Sequence, residues 1–448
     1  MITIRSKALF LCACFIEAVW LLVAQTAGSM PLLLPCLGCF LALVAWSAIK
    51  NMAMPVMLFF LPFAPLLKIR PGTISFFTVA LLLIYVVYTV IGSRNVRISY
   101  FVPALCLIAM TLVVKTLYGY EIDNPYILFA ITLLLVPFLS REMDTDDVFF
   151  WMTVFFSLGI ILASITAQYL TVFPTITRYI DLHYVLGTVR RSGYYGDPNF
   201  YSSHITSALG GVLILFSNND KKRKLFLLVL LMAALLYCGL MSISKSFLLV
   251  SVCLLLFWFV DIMFRKGKVS IKIALIFTVI IVALFLLSST MFTDMLDVML
   301  SRFAGDNSLS DFTTGRTELW RKYFDAFADS PLLTLFGQGY TDVVVGDRGS
   351  HNTLIQCVFQ FGLVGCILFF TWLFLFVRNL LDKTTIYWNN VTQISILLIG
   401  VFGPWMALEF LFFDELFLLP IYVCAAIRFL AAQTSADSPL IQEKAWSE

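Results

Sequence analysis

Two stretches of this 448-residue sequence hold side chains that could do chemistry together. The first is Arg190-Arg191-Ser192-Gly193 followed by Asp197-Pro198-Asn199; the second runs from Gly315-Arg316 to His351-Asn352. Guanidinium groups donate hydrogen bonds in a planar fork that matches phosphate oxygens. A neutral imidazole, with an ordinary pKa of about 6.5, can take a proton from a hydroxyl near pH 7. Together they could hold a phosphorylated ligand and deprotonate a hydroxyl. Each group also has a bland role: the arginines can be solvated or bind lipid headgroups, and His351 stands where a helix-capping or interfacial residue would.

The elements that must position these groups can be read locally. Asp197-Pro198-Asn199 is a turn, because proline fixes its backbone angle and Asp and Asn bond neighbouring backbone groups. Asn199 is the expected N-cap of a helix beginning at Phe200, whose free amides would favour an anion. Ser203, Ser207 and Gly211 recur at four-residue spacing and form a small-residue stripe for close helix packing. In the second stretch, Arg316, Trp320, Tyr323 and Phe327 recur at helical spacing, so an amphipathic helix should lie there over the membrane domain. Glu318 with Lys322, and Arg321 with Asp325, are ordinary surface pairs at i, i+4. The corresponding position from Arg316 is Trp320, not an acid, which leaves Arg316 the better ligand contact.

Composition sets the frame around both stretches. Apolar types make up 60% of the chain and charged types only 13%, against roughly half and a quarter for a soluble globule. The chain is therefore an all-α polytopic membrane protein, read as a single transmembrane domain over 1–448. Helices crossing a bilayer need about 20 apolar residues. Candidates lie near 8–26, 31–49, 53–67, 73–92, 98–117, 125–139, 148–172, 200–217, 225–241, 246–264, 270–289, 352–377, 391–412 and 415–432. Two of these, 53–67 and 125–139, are short and contain proline, so 12–14 helices are expected. A net charge of +3 with scattered cations excludes a nucleic-acid partner. The ten cysteines fall in or at the ends of apolar segments, so Cys36 and Cys39 read as helix residues rather than a redox or metal pair. The first apolar segment leads directly into the next and is expected to stay as an anchor.

Orientation follows the positive-inside bias. The connections at 218–224 and 265–272 are the basic ones, and placing them in the cytoplasm puts both termini there too. Lys68, Arg70, Lys115 and Lys245 then scatter over short outer loops. Eight further cations, Arg178, Arg190, Arg191, Arg302, Arg316, Arg321, Lys322 and Arg348, gather in just two outer loops, 173–199 and 290–351. His183, His204 and His351 lie in or beside the same loops. The acidic run at 143–147 falls inside and reads as a solvated helix start. Glu17 and Glu409 sit within apolar segments and are functional candidates by default, with helix-to-helix hydrogen bonding as the plainer role.

The motifs themselves are similar to those of the O-antigen ligase and O-antigen polymerase family of bacterial membrane glycosyltransferases. His351-Asn352, nine residues, Gly362, two residues and Gly365 resemble its histidine motif. Arg190-Arg191-Ser192-Gly193 with Asp197-Pro198-Asn199 resembles its other outer-loop motif. Gly315-Arg316, Trp320, Pro331, Gly337 and Gly339 resemble the segment leading into its histidine. The resemblance covers roughly residues 185 to 370.

That resemblance implies a C-type membrane glycosyltransferase using a polyprenyl-diphosphate-linked glycan donor, such as undecaprenyl diphosphate, at the outer face of the bacterial cytoplasmic membrane. His351 would be the catalytic base. Arg190, Arg191 and Arg316 would bind the lipid diphosphate, with Asp197, Asn199, Asn352 and Arg321 in support. The implied reaction inverts the anomeric centre and uses neither metal nor other cofactor. The acceptor would be a glycan or lipid-linked repeat, with membrane lipids and polysaccharide chain-length or export proteins as further partners. A polymerase of O-antigen or capsular polysaccharide is the first expectation, and a ligase onto lipid A core or another acceptor is the alternative. A transporter or flippase of lipid-linked oligosaccharide is the reading of another class. It should show internal repeats and polar groups near the midplane, yet no repeat is evident and the cations crowd one face. A scaffold in an export complex would leave both loops unexplained.

Overall fold

Backbone polar groups cannot stay unsatisfied in hydrocarbon, so a chain this apolar spans a membrane as helices that close their own hydrogen bonds. The computed structural model describes residues 4–70, 73–91, 98–136, 147–180, 183–185, 188–264, 297–298, 301, 313, 315–346, 348–382 and 384–436. The first helices are α1 (Ile4–Ala27), α2 (Met30–Ile49), α3 (Ala53–Phe60), α4 (Phe76–Ile91), α5 (Phe101–Leu117), α6 (Asn124–Leu135), α7 (Val148–Tyr169) and the short α8 (Pro174–Thr177). A hairpin of β1 (His183–Val185) and β2 (Thr188–Arg190) follows, antiparallel with His183 opposite Arg190. Then come α9 (Pro198–Asn218), α10 (Lys222–Met241), α11 (Lys245–Phe264), α12 (Arg316–Asp329), α13 (Pro331–Phe336), α14 (Thr353–Leu380), α15 (Val391–Phe402) and α16 (Glu415–Ala436).

Among the described residues, eight helices are long and apolar enough to cross a membrane: α1, α2, α7, α9, α10, α11, α14 and α16. Four shorter apolar helices lie at Ala53–Leu66, Phe76–Ile91, Phe101–Leu117 and Asn124–Leu135. The expected span at 270–289, the basic connection at 265–272, Arg302 and most of the acidic run at 143–147 lie outside the described residues. The expected span at 391–412 is corrected. Helix α15 ends at Phe402, a short 3-10 turn occupies Pro404–Met406, and 407–414 follows without helix. Proline brings no N–H to continue the ladder, which is why the segment breaks there.

Helix α9 is almost wholly buried and packs against α7, α10, α11 and α15. Its small polar face serves that packing: Thr206 Oγ1 donates to the Gly400 carbonyl at 2.8 Å, and Ser207 Oγ to the same carbonyl at 3.4 Å. Midway along α1, Glu17 accepts the Cys36 thiol of α2 at 3.1 Å, a hydrogen bond between helices.

The element that shapes the site is the break in α14. Gly362 adopts φ 64° and ψ 179° inside the helix, a region open essentially to glycine. The break frees carbonyls at Phe359 and Gln360, and the loop after α13 satisfies them. Gln338 N–H donates to Phe359 O and Gly339 N–H to Gln360 O, both at 2.9 Å. A Cβ at Gly362 would run into the Leu335 carbonyl, and one at Gly337 into the Gln360 backbone. The glycines of both motifs are thus the two sides of one backbone approach. Gly362→Ala should therefore lower stability by about 1–3 kcal/mol from backbone strain alone, with the clash added. Thermal unfolding of the purified protein in detergent measures this; a melting temperature equal to wild type would show that the approach is not required.

Candidate active site

The loop that presents His351 is held from both sides. On α12, Trp320 Nε1 donates to the Ser350 carbonyl at 2.9 Å. Tyr323 Oη donates to the Arg348 carbonyl and accepts the Val345 N–H, each at 3.3 Å. The Tyr323 ring is buried against Phe359 of α14, with centroids 5.0 Å apart. The expected amphipathic helix therefore does more than cover the bundle. It fixes the backbone at Val345, Arg348 and Ser350.

From the other side, the irregular segment after α15 is stitched to the start of α14. Thr353 Oγ1 donates to Leu408 O at 2.7 Å and accepts Phe410 N–H at 3.1 Å. Asn352 caps α14: its side-chain oxygen accepts Leu354 N–H at 2.9 Å and Ile355 N–H at 3.2 Å, while its amide donates to Met406 O at 3.1 Å. All of these bonds are internal, so Asn352 is placed as a cap. His351 itself has φ 48°, and its N–H donates to the Glu409 carboxylate. A Cβ at Gly349 would occupy the space of that carboxylate.

The first loop arrives from the opposite flank. The N-cap of α9 is Asp197, not Asn199 as the sequence suggested. Its carboxylate accepts Asn199 N–H at 2.7 Å, and Pro198 takes the first helical position, where a missing N–H is harmless. Asn199 instead braces the turn between α10 and α11. Its Oδ1 accepts Ser244 Oγ at 2.8 Å and the Arg190 guanidinium at 3.5 Å, and Arg190 Nε also donates to Ser242 O at 3.2 Å. Arg191 is engaged elsewhere: its N–H donates to Met241 O at 3.0 Å, and its guanidinium lies 6.0 Å from the Tyr237 ring centroid.

The two loops meet at the half-buried His351 imidazole. Burial, first of all, pushes its pKa below the ordinary value; the Glu409 and Asp197 carboxylates pull it up, and the Arg316 and Arg348 guanidiniums push it down. The structure therefore brings together Arg316, Asp197 and His351 among the anticipated residues. Arg190 is bonded to Asn199 and to the Ser242 carbonyl, Arg191 lies by Tyr237, and Arg321 is exposed on α12. Two neighbours had no assigned part in the sequence reading: Arg348, counted only as a loop cation, and Glu409. The one signal for Glu409 was an acid in an otherwise apolar stretch. His204 is wholly buried and bonds Glu415 at 2.9 Å. Chemically, the arrangement offers a largely neutral imidazole flanked by guanidinium groups, suited to proton removal beside an anion.

Residues 227–370, which include Arg316 and His351, match the family model of the O-antigen ligase. This segment carries a domain of the O-antigen ligase and polymerase family. No curated protein and no solved structure gives a significant match. The likeness covers 144 of the 448 residues and is one of membrane glycosyltransferase type, ligase-like or polymerase-like. Asp197 lies outside the matched segment yet acts on its histidine.

The electrostatics around His351 set a signed expectation. Its protonation midpoint, followed by NMR of labelled histidine and assigned by its loss in His351→Ala, should lie below about 6.5. Glu409→Gln removes a charge that favours the imidazolium and should lower the midpoint further; Arg316→Ala removes an opposing charge and should raise it. A midpoint unmoved by either substitution would mean that neither group faces the ring.

Proposed function

We propose that this protein is a polymerase of bacterial surface polysaccharide, O-antigen or capsular. It would transfer a glycan from polyprenyl diphosphate to a hydroxyl of a lipid-linked repeat at the outer face of the cytoplasmic membrane. The observation that carries the reading is the convergence of Arg316, Arg348 and Asp197 on His351 from two loops far apart in sequence. The basic connections at 218–224 and 265–272 support an orientation with both termini in the cytoplasm and the two loops outside.

In this reaction the acceptor oxygen attacks the anomeric carbon from the face opposite the diphosphate. The carbon–oxygen bond to phosphate breaks, and the configuration inverts. The departing lipid diphosphate takes the electron pair, and its charge falls to Arg316, Arg190 and Arg348. Such fixed donors act where charge develops and need no reorganisation at the moment of transfer. His351 receives the acceptor proton, and its lowered pKa keeps it neutral and ready as a base. Guanidinium groups supply the positive charge, so the proposed reaction runs without metal or other cofactor. Asp197 and Glu409 flank the ring and stabilise the imidazolium formed.

The family description favours a second reading, a ligase with the same donor chemistry and a different acceptor such as lipid A core. Gene deletion separates the two: single repeats on the usual surface acceptor mark a lost polymerase, and long chains left on the polyprenyl carrier mark a lost ligase. In membranes supplied with lipid-linked repeats, His351→Ala should slow elongation roughly a hundred- to ten-thousandfold. Arg316→Ala should cost about a hundred- to a thousandfold. Arg191→Ala, whose guanidinium sits over Tyr237, should cost less than either. Full elongation with His351→Ala in normally inserted protein would remove the base from the mechanism.

A further inference from the structure

A cavity of about 1000 Å³ lies beyond the His351 site, across the irregular segment that follows α15. The two are close neighbours along both chain segments that border them. Asp197 acts on His351 whereas Tyr195 lines the cavity, and Glu409 binds the His351 backbone whereas Leu411 lines the cavity. The cavity combines two features. Aromatic side chains of Tyr195, Tyr340, Phe412 and Phe413 form part of its wall, with Phe412 and Phe413 over a third exposed. Two carboxylates, Asp414 and Glu415, stand at its edge where α16 begins.

Both carboxylates are held in place. Thr78 Oγ1 donates to Asp414 Oδ2 at 3.0 Å, and the wholly buried His204 holds Glu415 Oε1 at 2.9 Å. An ionised carboxylate accepts at about four positions; the partly exposed Asp414 retains acceptor capacity towards the cavity, while the buried Glu415 is taken up by His204 and Tyr195. The lining also includes Asp123, already paired with Lys115 at 3.2 Å, and Lys68, whose ammonium acts on Asp414.

Resting on the transferase reading, we propose that this cavity is a glycan subsite, taking a sugar ring whose apolar face packs on the Phe412 and Phe413 rings while its hydroxyls donate to Asp414. The alternatives fit less well. A diphosphate would meet carboxylates outnumbering the one lysine in the lining, and like charges brought together are strongly disfavoured. A polyprenyl chain would cover the partly exposed Asp414 with hydrocarbon and leave it only the Thr78 donor, a costly desolvation. A pyranose offers what the lining lacks: hydroxyl donors on one edge and C–H surface on the other.

The test uses the full-length protein in nanodiscs and two probes that separate the parts of the substrate. One is the repeat oligosaccharide released by mild acid from the host's own surface polysaccharide, free of lipid and diphosphate. The other is inorganic pyrophosphate. Calorimetric titration should show the oligosaccharide binding wild type and weakening at least tenfold in Asp414→Asn and in Phe412→Ala, an exposed position that tolerates truncation. Arg316→Ala should leave oligosaccharide binding unchanged and weaken pyrophosphate, the reverse of the cavity variants. Absence of oligosaccharide binding to wild type, unchanged binding in both cavity variants, or loss of pyrophosphate binding in them would each overturn the assignment. In the elongation assay, a KM raised for the donor or for the acceptor identifies whose sugar the cavity holds. Binding is read without transfer, so a failed subsite and a failed catalytic assignment give different results.

Discussion

A single charge-assisted contact, from the backbone N–H of His351 to the Glu409 carboxylate, governs the geometry of the site. His351 lies at positive φ, where a side chain other than glycine is crowded at a cost of about 1–3 kcal/mol. A hydrogen bond to a charged group contributes about 1.5–3 kcal/mol, enough to offset that strain. The turn is therefore stable only with the acid in place, and the acid fits only because residue 349 is glycine. The same carboxylate lies in reach of the imidazole it positions, so one group fixes the backbone and tunes the base. Position and protonation are coupled by construction.

Rigidity behind that turn comes from the α14 break. A helix that stops and restarts leaves carbonyls without partners, and in an apolar setting these must be satisfied by protein. Gln338 and Gly339 supply the donors, which docks the α12–α13 arm onto α14. Because Arg316 opens α12 and His351 precedes α14, the docking sets the distance between cation and base before any ligand arrives. Trp320 and Tyr323 then carry the restraint to the backbone of Val345, Arg348 and Ser350. Pre-organisation of this kind is what a reaction limited by charge development requires.

The legible and illegible parts of the sequence divide along physical lines. Long apolar helices such as α7, α9 and α16 announce themselves because hydropathy over some 20 residues is a local property. The amphipathic α12 was equally readable from Arg316, Trp320, Tyr323 and Phe327. The 391–412 segment misled because its mean hydropathy outweighed the Gly403-Pro404 break, which hid the unwound stretch holding Glu409, Asp414 and Glu415. Contacts such as His351 with Glu409 or His204 with Glu415 join residues distant in sequence, and no spacing rule reaches them. The adjacent arginines carried a signal that could have been used: successive residues of an extended strand point to opposite sides. Arg190 at the end of β2 turns to Asn199, and Arg191 turns to Tyr237.

The segment from Met406 to Asp414 separates two environments that the proposed reaction needs apart. A leaving diphosphate requires cations; a sugar held by its hydroxyls requires acceptors. Placed in one pocket, these groups would neutralise each other, as the attraction between Lys68 and Asp414 illustrates on a small scale. On one side of the segment stand Arg316 and Arg348 with His351, and on the other Asp414 and Glu415. Phe410 and Phe413 both pack against Phe200 at the head of α9, so the dividing wall is anchored on the most buried of the eight long apolar helices. An unwound stretch can do this where a helix cannot. Within it Glu409 serves the base while Leu411 and Asp414 line the cavity.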